Sequence, residues 1–157
     1  MQLTLRSAPR LAAIALLALF GLTLARGIYQ HPKGEALNQR VRQALRLPEN
    51  EHKTLVGTVS DVLDRGMSVS EVDAALAPVH EEMEGFRWYA APSDRDPYIV
   101  QRLTFRLPGP GSQHVFVIYR NGRVADIDSR EYVRLGRRLT DTEARQRLSG
   151  PGRVPAA

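Results

Sequence analysis

Four histidines, at positions 31, 52, 80 and 114, and two aspartate pairs, Asp94 with Asp96 and Asp126 with Asp128, are the residues best suited to metal or acid–base chemistry. No two of the histidines stand at ligand spacing. His80-Glu81-Glu82-Met83-Glu84 opens like the helical zinc motif His-Glu-x-x-His, but position 84 is Glu where the second His belongs, and Gly85 ends the segment. Asp126 and Asp128, two apart on a strand, project from one face, where they would share a cation or raise one another's pKa. A small carboxylate-dependent hydrolase is one reading of that pair, and protection of a solvated edge strand is the other. No glycine-rich phosphate loop opens a helix, and no Ser sits in a nucleophile elbow. The absence of Cys removes disulfides and thiolate metal sites. The sequence therefore assigns no catalytic, cofactor-binding or metal residue and points to a non-enzymatic protein.

Recognition is the better-supported chemistry. Trp88, the single tryptophan, stands between Phe86 and Tyr89, and large aromatics with Arg dominate binding energy once desolvated. The alternative is that Trp88 and Phe86 fill the space between a sheet and its helices. Arg102, Thr104 and Arg106 recur every second residue and form the polar face of a strand, a second candidate partner surface. The 22 Lys and Arg against 17 Asp and Glu give a net charge of +5. Arg40, Arg42 and Arg46 form one basic cluster suited to anionic lipid, and Arg130, Arg134, Arg137, Arg138, Arg145 and Arg147 form another. Glu131, Asp141 and Glu143 interrupt the second cluster, which favours a solvated tail and argues against nucleic acid.

The elements that must position these residues follow from local rules. Arg6 and Arg10 precede the apolar run Leu11 to Ala25, the pattern of an export signal. With Arg26 snorkelling, the run extends through Ile28 and Tyr29 to the length of a membrane span, so residues 1–29 are expected to form a signal anchor, or else a signal cleaved after Ala25. Arg6 and Arg10 on one side face Arg26, Lys33, Arg40 and Arg42 on the other, so charge alone does not place the C-terminal domain outside. The position of the run at the start of the chain, like a signal, favours that orientation. Residues 30–48 read as a tether, with Pro32 and Gly34, leading into an amphipathic helix that presents Leu37, Val41 and Leu45. From Glu49 a first core helix carries Leu55, Val56, Val59, Val62 and Leu63 to a stop at Gly66.

Gly66, Met67, Ser68, Glu71 and Val72 then specify a helix-turn-helix corner. Ser68 and Glu71 make a capping box, Met67 and Val72 a hydrophobic staple, and a second helix runs from Val69 to about Ala77. Beyond Pro78 the period changes to two. Phe86, Trp88 and Ala90 form a short strand, Ile99 to Leu107 a longer one, and Val115 to Tyr119 a central one. Asn121-Gly122 is a two-residue type I′ hairpin turn into Arg123 to Asp128. Thr140 and Glu143 form a second capping box for a short exposed helix. The expected fold is α+β, two helices packed on a three- or four-stranded antiparallel meander over residues 49–129, followed by a basic tail over 130–157.

Gly66-Met67-Ser68, Val72 and Leu76, Trp88-Tyr89, and Asn121-Gly122-Arg123-Val124, in that order, resemble the small envelope domain of BamE, the SmpA/OmlA family, over roughly residues 50 to 128. The chain departs from that family in lacking a lipobox Cys and in keeping only the Pro of a Gly-x-Pro after the second helix, here Leu76-Ala77-Pro78. The resemblance implies a bacterial accessory or scaffold domain that binds another envelope protein or lipid. The expected protein is thus a single-pass inner-membrane protein, held through residues 11–29, with its α+β domain in the periplasm. The rival reading is a cytosol-facing basic domain that touches anionic lipid or nucleic acid.

Overall fold

The computed structural model describes residues 15–16, 18–19, 31–50, 53–128 and 134–150. Five strands form one antiparallel sheet: β1 Met83–Ala90, β2 Ile99–Arg106, β3 Ser112–Arg120, β4 Arg123–Asp128 and β5 Arg138–Leu139. Their order is β4-β3-β2-β1-β5. The sheet is one strand wider than the sequence predicts, because Leu139 and Arg138 return to pair with Trp88 and Tyr89. A two-residue strand carries no readable period, so only the tertiary pairing defines it.

The helical layer covers one face. Residues 31–44 form α1, Leu55–Ser60 α2, Val69–Leu76 α3 and Asp141–Ser149 α4, with a 3-10 turn at Ala77–Glu82. Leu37, Val41, Val59, Val72 and Leu76 meet Trp88, Leu103, Phe105, Val115, Val117 and Tyr119 in one core. The helical residues 31–34 replace the tether expected there, and α1 joins the core through Leu37 and Val41. At the other end, Ala144 of α4 is fully buried, so the unit extends beyond 49–129 on both sides. No helix among the described residues is long and apolar enough to cross a membrane; most of 11–29, where a span is expected, lies outside them.

Local chemistry sets the helix ends. The first core helix starts at Leu55 rather than Glu49, because the Thr54 hydroxyl accepts from the Gly57 amide and fixes the N-cap. It ends at Ser60, six residues before Gly66. Gly66, at φ +92°, serves the next turn, where its amide donates to the Val124 carbonyl (2.8 Å) and the Val124 amide donates to the Met67 carbonyl (2.8 Å). The corner therefore docks on β4 and occupies part of that edge. Both capping boxes are present, Ser68 with Glu71 and Thr140 with Glu143. At the hairpin, Asn121 (φ 52°) and Gly122 (φ 74°) both take left-handed conformations, as a type I′ turn requires.

Candidate interaction site

Cross-strand register sorts the candidate residues between the two faces. Trp88 lies opposite Gln101, on the core side, and is 2 % exposed. Its indole Nε1 donates to the Asp141 carboxylate at 2.8 Å, and its ring lies 5.8 Å from those of Tyr119 and Phe86. Trp88 is therefore a core residue that fastens α4 to β1 and is not open to a partner. Phe86, on the same side but at the margin of the helical layer, is 40 % exposed. β5 engages only Trp88 and Tyr89, so Met83–Arg87 has no second partner strand among the described residues.

The opposite face carries the polar candidates. Arg87 of β1 lies directly across from Arg102 of β2. Thr104 lies across from His114 of β3, with Thr104 Oγ1 and His114 Nδ1 3.3 Å apart. The Arg102 guanidinium sits 5.6 Å from the Tyr89 ring centroid, a cation–π contact. Among the described residues neither Arg87 nor Arg102 forms an ion pair, and neither do Arg106 and Arg138; of the other arginines of the sheet, Arg120 pairs with Asp96 and Arg123 with Glu71. Like charges directly opposite one another destabilise a sheet, so this pair is carried at a cost in stability. Arg102 Nε is moreover shielded from solvent and has no acceptor.

Around the two arginines opens a cavity of ≈ 280 Å³, bordered also by Glu84, Thr104, Ser112 and His114. It lies on the face opposite the helices, at the end of the sheet where Met83–Arg87 has no second partner strand among the described residues. Val100 and Phe116, on this same face, are buried, so the surface around the polar group is firm. Arg106 is exposed, and its carbonyl accepts from Arg40 Nη2 at 3.3 Å.

The remaining candidates are dispersed. Arg42 is 3 % exposed, and its guanidinium donates to the Pro48 carbonyl (2.6 Å), Thr58 Oγ1 (3.0 Å) and Asp61 Oδ2 (3.2 Å). It is a structural strut and drops out of the basic cluster expected to meet lipid. Arg40 pairs with Glu82 at 3.1 Å, while Arg46 is exposed. In the C-terminal cluster Arg145 bridges Asp73 and Asp141, both at 2.9 Å, and Arg137 pairs with Glu143 at 3.2 Å. Asp126 pairs with Arg65 at 3.3 Å. The Arg120 guanidinium beside Asp96 holds that carboxyl below its usual range. His80 falls on the 3-10 turn and Glu84 on β1, so no helix aligns that motif, and no cluster able to hold a metal ion occurs among the described residues.

Sequence reasoning placed Arg102 and Thr104 on a polar strand face but did not find Arg87, Glu84, Ser112 or His114. Register brings these residues together from strands as far as 30 positions apart, and only the alternation of Arg87 with Trp88 hinted at it. Compared with family models, curated proteins and solved structures, the chain gives no match.

Proposed function

We propose that this chain is a bacterial envelope protein, anchored in the inner membrane through residues 11–29, whose periplasmic α+β domain is a non-enzymatic interaction or scaffold module for another envelope protein. The observation that carries this reading is the opposed pair Arg87 and Arg102, set in a cavity beside a strand edge that has no second partner among the described residues. Two like charges kept opposed, with no ion-pair partner and only Glu84 on the same border, suit something that arrives from outside. Exposed Phe86 on the other side of the same edge adds apolar contact area. The basic, apolar N-terminal segment supports the anchor, and the likeness to the BamE domain supports an envelope setting.

Two measurements in cells test it. Protease added after permeabilising the outer membrane should digest the domain, and the fragment masses should show whether the segment to Ala25 is retained. A photocrosslinking residue at Ser112, on the border of the cavity, should capture one protein, whereas the same residue at Asp94, in the exposed β1–β2 loop, should not. Protection from protease would place the domain in the cytosol and end the envelope reading. Absence of a specific adduct from Ser112 would end the docking reading.

A further inference from the structure

We infer that the cavity between Arg87 and Arg102 takes a carboxylate, that of an aspartate or glutamate side chain on the partner. This inference rests on reading the domain as an interaction module and names the chemistry of what it binds. With His114 counted as neutral, the charges bordering the cavity are those of Arg87, Arg102 and Glu84, and they leave one positive charge uncompensated. A single carboxylate balances it. A phosphate dianion overshoots the balance by one charge.

The geometry of the donors agrees. The Tyr89 ring packs against the Arg102 guanidinium in a cation–π contact, which accepts no conventional hydrogen bond from it. A planar carboxylate engages a guanidinium fork through two parallel hydrogen bonds. Arg102 Nε is shielded from solvent, so the donors left for a carboxylate are the terminal Nη groups of the guanidinium. Arg87, directly across on β1, borders the same cavity as a second cation, and Thr104 and Ser112 offer hydroxyl donors at the border. The ≈ 280 Å³ space admits a carboxylate with its methylenes, being several times the ~30 Å³ share of one water. Arg102 is half-buried and Arg87 exposed, so only the Arg102 side of the pairing is partly withdrawn from bulk solvent, where charge-assisted bonds are stronger.

The test uses the full chain in detergent micelles and reads arginine Nε–H signals by NMR. The probes are N-acetyl-glutamate N-methylamide, its glutamine counterpart and inorganic phosphate. The glutamate probe should shift the Arg102 and Arg87 signals saturably, while glutamine and phosphate bind at least about tenfold more weakly, a difference of about 1.4 kcal/mol. Arg102→Gln and Arg87→Gln should each weaken the response by about tenfold or more, a loss of the same size. Arg102→Lys, which keeps charge but loses the fork, should fall between and keeps the test decisive if Arg102→Gln does not fold. Arg95→Gln, in the exposed β1–β2 loop, should behave as the parent. No saturable shift, an equal response to glutamine, tighter binding of phosphate, or an unchanged response in folded Arg102→Gln would each overturn the inference. If the carboxylate response is missing while the Ser112 adduct persists, the carboxylate is wrong and the module stands; loss of both removes the module.

Discussion

Tyr119→Phe removes one oxygen from the centre of the core. The Tyr119 hydroxyl donates to Gln101 Oε1 at 2.7 Å, and each residue is 1 % exposed. The substitution therefore takes from the buried Gln101 oxygen its phenolic donor, which costs about 1–3 kcal/mol. Gln101→Met strands the hydroxyl instead, at a similar cost. Replacing both partners leaves neither group unsatisfied, so the double variant should lie close to the parent, with a coupling of about 1–2 kcal/mol. Trp88, the single tryptophan, has its ring 5.8 Å from that of Tyr119 and reports unfolding in urea by fluorescence. With a slope of about 2 kcal/mol per molar, each single variant should lower the midpoint by about 0.5–1.5 M. A double variant destabilised by the sum of the singles would refute this reasoning.

The same residue predicts an alkaline response. Burial, and then the charge of Asp73, push the Tyr119 hydroxyl far above its ordinary value. The folded protein thus keeps a proton that the unfolded chain releases above about pH 10. Stability from this group is fully present below that pH and is lost as the pH climbs toward the folded value, by about 1.4 kcal/mol per unit. Tyr119→Phe should flatten that alkaline limb.

Other substitutions probe the joints of the fold. Arg42→Met should cost about 2–4 kcal/mol in the same urea assay, with Arg42→Lys intermediate, because three acceptors lose a buried guanidinium; a neutral result would mean that Arg42 is not a strut. Trp88→Phe loses the bond to Asp141, worth about 1–3 kcal/mol, and should speed amide exchange over residues 138–149 more than in β2 and β3. A uniform increase would count against α4 being held by the indole. Gly66→Ala meets nothing within 4 Å and should cost only the strain of a left-handed φ, about 1–2 kcal/mol. Gly122→Ala adds a Cβ 2.4 Å from the Leu148 carbonyl oxygen and should cost more, measurably loosening α4; equal costs would show that the close approach does not matter.

Local devices were legible where a short run of residues is sufficient. Ser68 with Glu71, Thr140 with Glu143, and Asn121-Gly122 act within four positions, and all three form as read. Alternation also located β1 and β2, a continuous apolar run located β3, and the Asn121-Gly122 turn located β4. What the sequence hid depends on partners far along the chain. Trp88 reads equally as a surface anchor or a core residue until Asp141, 53 positions on, accepts its N–H. Arg42 reads as part of a basic stripe until Thr58 and Asp61 fold back around it. The start of α2 is hidden because Glu49 suggests a helical first turn, whereas Thr54 holds the cap. The cavity was half legible: the face bearing Arg102 and Thr104 follows from alternation, but the pairing of Arg102 with Arg87 is a property of register.

Because α1 is seated in the core through Leu37 and Val41, any membrane attachment just before it is a very short leash. Residue 31 is already helical, and six residues of helix, about 9 Å, separate it from buried Leu37. In the proposed envelope setting the domain would then ride at the bilayer surface and could not sweep through the periplasm. It would sample a thin shell in which membrane-bound neighbours meet it at high effective concentration, so that even a weak carboxylate contact would be occupied for much of the time.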